Sequence, residues 1–96
     1  MNDYECHITI ALPKDAQLWL IQGVKVRVEA IKWHFSCIHG DPQLGDKIFC
    51  YATEHYVDEE IATQMVIRVA EVLKLKGCDV VRTKVEKVVF DSRRQS

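Results

Sequence analysis

Two rhythms of apolar residues alternate along this chain, and their order limits the folds open to it. A strand sends successive side chains to opposite faces, whereas an amphipathic helix repeats its buried stripe every 3.6 residues. Tyr4 to Leu12 follows the first rhythm, with Cys6, Ile8 and Ile10 on one side and Glu5, His7 and Thr9 on the other. Ile31 to Ile38 repeats it, placing Ile31, Trp33, Phe35 and Cys37 toward a core and Lys32, His34 and Ser36 away from it. Lys47 to Tyr56 is a third such run, with Ile48, Cys50 and Ala52 as one stripe and Phe49, Tyr51 and Thr53 as the other. Either stripe is large enough to be buried; the aromatics are assigned to the open face. Val80 to Phe90 closes the series, with Val81, Val85 and Val89 opposite Arg82, Lys84 and Glu86.

Helical patterns fill the gaps after the first and third runs. Pro13 and Asp15 mark a helix start, because proline suits a first turn and aspartate accepts from its free amides. Leu18, Trp19, Leu20 and Ile21 supply the apolar side. Gly23 offers a stop, and Val24 to Val28 alternates like a strand. A crossover from a first strand needs about a dozen residues, so the expectation is a helix continuing to about Val28. Asp58 caps the second helix, Glu59 and Glu60 sit in its first turn, Lys74 and Lys76 near its end, and Gly77 stops it. Ile61, Met65, Val69 and Leu73 recur at the helical period, and Trp19 and Trp33 are assigned to the core. His39 to Asp46 is dense in turn formers and reads as a hairpin loop. The order β-α-β-β-α-β predicts an α+β fold, a ferredoxin-like sandwich whose antiparallel sheet carries both helices on one face.

The 96 residues suit one domain over 1–96, with 92–96 expected as a disordered tail. Thirteen basic and fourteen acidic residues leave a net charge of −1. That balance argues against a protein that coats long nucleic acid and favours a small anionic ligand or a short single strand. No charged start leads into an apolar run, and no stretch of about 18 apolar residues is present, so no membrane partner and a cytoplasmic location are expected. Cys6, Cys37, Cys50 and Cys78 form no C-x-x-C pair and read as small buried hydrophobes in a reducing compartment, not as zinc ligands.

The face left open by the predicted helices collects Glu5, His7, Thr9, His34, Ser36, Tyr51, Arg82, Lys84 and Glu86. Two histidines in it are each followed two places later by a hydroxyl residue, His7 with Thr9 and His34 with Ser36. Cleavage of a phosphodiester without metal or other cofactor needs a base for the attacking oxygen, an acid for the leaving oxygen, and donors to the phosphoryl oxygens. Histidines supply the first two and hydroxyls the third. Arg82 and Lys84 are suited to clamping a phosphate from the same face.

The repeated His-x-Thr/Ser-x pattern resembles the signature of the two-histidine phosphoesterase superfamily, the 2′-5′ RNA ligase-like proteins. The resemblance implies catalytic roles for His7 and His34 as base and acid, with Thr9 and Ser36 on the phosphate of a 2′,3′-cyclic or 2′,5′-linked nucleotide. Lys47 to Ala52 is similar to the third-strand motif of RNA recognition modules, in which Phe49 and Tyr51 match the positions that stack bases. Ile48 stands there in place of a glycine and Glu54 in place of an aromatic residue. That likeness implies a non-catalytic binder that sequesters a signalling nucleotide or a short RNA. The ordinary readings are a solvated face with cross-strand ion pairs, or an interaction module whose exposed aromatics form a homodimer. A metal site recruiting His34, His39, His55, Asp41 and Asp46 is the least favoured, because aspartates in such a loop are turn formers.

Overall fold

The computed structural model describes residues 2–38 and 47–89. Its elements follow the order β1 (Asn2–Pro13), α1 (Leu18–Ala30), β2 (His34–Ile38), β3 (Lys47–Tyr56), α2 (Glu59–Leu75) and β4 (Asp79–Val89). The strands form one sheet in the order β2-β3-β1-β4, with every neighbouring pair antiparallel. The fold is therefore α+β, and β1 and β3 are its central strands. The expected hairpin loop at His39 to Asp46, the tail at 92–96 and Phe90 lie outside the described residues.

Alternation in the strands decides which face is apolar. Cys6, Ile8 and Ile10 of β1 and Cys50 and Ala52 of β3 are fully buried, and they share one core with Val24 and Val28 of α1 and Ala62, Val66, Val69, Ala70 and Leu73 of α2. Both helices thus cover the same face. At roughly 25 cal/mol per Å² of apolar area removed from water, this shared layer is the main source of stability. Trp33 is buried in it, with its ring centroid 6.4 Å from that of Tyr56.

The helix ends show why α2 is easier to read from the sequence than α1. Asp58 caps α2 through its Oδ1, which accepts from the Ile61 amide at 3.1 Å. At the other end Gly77, at φ 88°, donates its amide to the Lys74 carbonyl, and the Cys78 amide reaches the Leu73 carbonyl. This is the paired closure of a Schellman motif. The same closure ends α1, with the Lys32 amide on Glu29 and the Trp33 amide on Val28. There the left-handed position belongs to Lys32, at φ 67°. A lysine gives no signal for that conformation, and the apolar alternation by itself points to a strand from Ile31. Instead Ile31 to Trp33 complete the helix end and β2 begins at His34.

Four further expectations are corrected. Pro13 and Asp15 do not open α1: Pro13 ends β1 opposite Lys47, its carbonyl accepts from the Ala16 amide, and the helix starts beyond Gln17, which makes no side-chain cap. Trp19 is 68% exposed rather than core, because the buried stripe of α1 is Ile21, Val24 and Val28 and Trp19 lies round the helix from it. Ile61 is 50% exposed, since the stripe of α2 runs through Ala62, Val66 and Val69 instead. In β4 an extra residue interrupts the pairing with β1: Thr9 faces Arg82 but Ile10 faces Val80. The bulge puts Val80 against the core and leaves Val81 half exposed, separating it from Val85.

Candidate functional site

The face of the sheet away from the helices is ordered in rows by the strand register. One row runs Lys84, His7, Thr53, His34, and the next runs Arg82, Thr9, Tyr51, Ser36. Each histidine therefore stands in line with the other, with Thr53 of the intervening strand between them. Two strand spacings put their backbones roughly 10 Å apart.

His7, Thr9, Tyr51, Arg82, Lys84 and Glu86 line a hollow of about 170 Å³ over β1 and β4. Five of the residues expected from the sequence as site residues meet there. His34, Ser36 and Phe49 do not line it. His34 and Ser36 are exposed on the edge strand β2, and Phe49, partly buried, pairs with Ala11 and Ile38 a further row along.

An ion-pair network crosses three strands beside this hollow. The Glu5 carboxylate accepts from two imidazoles, His7 Nε2 at 2.6 Å and His55 Nε2 at 2.8 Å. Glu86 lies 3.6 Å from the same His7 nitrogen and accepts from Lys84 Nζ at 2.9 Å. That hydrogen bond, the Lys84 charge and, more weakly, His7 and Arg82 hold the Glu86 carboxyl below the usual carboxylate range. With Nε2 donating to Glu5, a neutral His7 keeps its lone pair on Nδ1, which is the arrangement of an oriented proton acceptor.

Glu5 was legible as an open-face residue, but its bridging role was not. Glu5 and His55 are 50 positions apart and meet only because the β1 to β3 register sets them opposite each other. The available signal was parity, since His55 continues the stripe of Tyr51 and Thr53. Among the described residues, no group of three His, Cys, Asp or Glu side chains is arranged so that it could hold a metal ion; His39, Asp41 and Asp46 lie outside those residues. All four cysteines are free; Cys6 and Cys50 are buried, Cys37 and Cys78 partly so, and the Cys50 and Cys37 sulfurs are 3.6 Å apart. No helix among the described residues is long and apolar enough to cross a membrane.

No protein-family model matches the chain, and no curated protein matches it. Among solved structures it is similar to a de novo designed protein, Foldit4, with a TM-score of 0.51 and 14% identity over 93% of this chain and 99% of that one. A likeness at that identity concerns the arrangement of elements alone.

Proposed function

We propose that this chain is a ferredoxin-like domain whose open sheet face binds the phosphoester of a 2′,3′-cyclic or 2′,5′-linked nucleotide and cleaves it with His7 and His34. The strand order and the placement of both helices on one face support the scaffold. The observation that carries the ligand class is the meeting of His7, Thr9, Tyr51, Arg82 and Lys84 around one hollow. Two cations and a hydroxyl suit a phosphodiester, and Tyr51 offers a ring to the sugar or base. In the reaction His7, oriented by Glu5, takes the proton from the attacking oxygen, which is water for the cyclic ester and the neighbouring ribose hydroxyl for the 2′,5′ linkage, and His34, in the same row, delivers one to the leaving oxygen.

His34 lies outside the hollow, and that placement favours a second reading in which the face holds the nucleotide without cleaving it. One experiment separates the two. The protein is incubated with a 2′,3′-cyclic nucleotide and a 2′,5′-linked dinucleotide, and product is followed by chromatography for the native chain, His7→Ala and His34→Ala. Cleavage lost in both variants with affinity kept supports the enzyme. Full activity in either variant sinks the two-histidine mechanism, and intact nucleotide recovered after heat release leaves the binder. An absence of any binding rejects both.

A further inference from the structure

A second cleft, of about 330 Å³, lies at the end of the sheet where β1 finishes and β3 and β4 begin. Its walls include Ala11, Leu12, Leu20 and Val24, of which Ala11 and Val24 are buried. Arg27, Lys47, Lys76 and Asp79 also line it, leaving an excess of positive charge around an apolar floor. Three separate elements bring these cations together: Arg27 lies in the last turn of α1, Lys47 starts β3 opposite Pro13, and Lys76 ends α2.

Among the described residues none of Arg27, Lys47 and Lys76 forms an ion pair. The Arg27 guanidinium folds back along its own helix toward Gly23, where a Cβ would come within 3.0 Å of its Nη1. That direction carries it toward Val24, one helical turn nearer the N-terminus, and along the same face toward Leu20. The cysteine in the lining senses the same field: burial raises the Cys78 thiol, and the Arg27 and Lys76 charges oppose that rise. The turn's own amides are already used, with Gly77 donating to Lys74 and Cys78 to Leu73, so an anion here must be met by side chains.

We propose that this cleft binds a small apolar molecule bearing a single carboxylate or phosphate head. The apolar body lies against Leu12, Leu20 and Val24, and the head sits among Arg27, Lys47 and Lys76. The volume is at the lower end of small-molecule sites, which fits a medium-length acyl chain or one aromatic ring better than a whole nucleotide. The site shares no residue with the hollow on the open face, so either can fail without the other.

The test is a titration of the full chain with decanoate, decanol and inorganic phosphate, followed by backbone amide shifts in two-dimensional NMR. Saturable shifts centred on Leu20, Val24, Gly77 and Cys78 are expected with decanoate, at least tenfold weaker binding with decanol, and no saturation with phosphate alone. The double variant Arg27→Gln, Lys76→Gln, at two exposed positions, is expected to bind decanoate at least tenfold more weakly. Equal affinity for decanoate and decanol overturns the role of the cations, and equal affinity for decanoate and phosphate overturns that of the apolar wall. Decanoate shifts that miss these four amides, or that never saturate, overturn the site. The comparison of ligands on the native chain decides the matter even if the double variant fails to fold.

Discussion

Glu5 and Glu86 face each other directly across β1 and β4, and His7 Nε2 lies between them, 2.6 Å from Glu5 and 3.6 Å from Glu86. Like charges in opposing positions destabilise a sheet, so the imidazole and Lys84 offset a repulsion that the register imposes. Replacing His7 with alanine is therefore expected to lower stability by about 1 kcal/mol. Adding Glu86→Gln to that variant is expected to recover most of the loss. Urea denaturation of the two single variants and the double variant checks this, and independent, additive effects would show that the opposed carboxylates are not coupled through His7.

The two helix ends use the same backbone closure with different residues, and this gives opposite expectations for glycine. Lys32→Gly removes the steric cost of a left-handed side-chain residue and should raise stability by about 0.5–1 kcal/mol. Gly77→Ala should lower it by about 1 kcal/mol. The Gly77 effect is conformational rather than steric, because an added Cβ there meets nothing within 4 Å. Melting midpoints that move the other way at either position would contradict the assigned backbone conformations.

Packing of α2 is tested by two residues that belong to the same helical repeat in the sequence. Leu73 is fully buried and Ile61 is 50% exposed. Leu73→Ala should cost about 2–5 kcal/mol through lost burial and a residual cavity. Ile61→Ala should stay within about 0.5 kcal/mol. Equal losses from the two substitutions would mean that the helix is rotated from the orientation described.

The buried thiols make the fold sensitive to alkali. Burial pushes Cys6 up to about 11, and burial with the neighbouring Cys37 pushes Cys50 up to about 12. A folded-state value above the unfolded one near 9 means that the native chain holds the proton more tightly. Their contribution to stability is then complete below about pH 9 and is lost as the pH rises through the folded values. The melting midpoint should fall steadily between about pH 9 and 12, and Cys50→Ala should flatten that slope. An unchanged slope in the variant would remove Cys50 as the cause.

Much of the architecture was readable because the strands and α2 carry signals that act locally. Period-two alternation placed Cys6, Ile8 and Ile10 opposite Glu5, His7 and Thr9, and the burial of the first three follows that parity. Asp58 and Gly77 bracket α2 by cap chemistry that needs no tertiary partner. α1 lacked such marks: Gln17 makes no side-chain cap, and its closing residue is a lysine. The bulge at Val80 to Arg82 was invisible for a related reason, since an extra residue in one strand is defined only against its partner.

For the open face, the sequence alone determined which side chains share a side, because parity along each strand is a local property of the pleat. It placed His7, Thr9, Arg82 and Lys84 together as candidates. Only the tertiary structure decided their distances. The register across β4, β1, β3 and β2 put His34 two strands from His7, brought His55 to Glu5, and gathered Arg27, Lys47 and Lys76 at one end of the sheet. Register arises from how the whole apolar face packs beneath the helices, and no single segment of the chain contains that information.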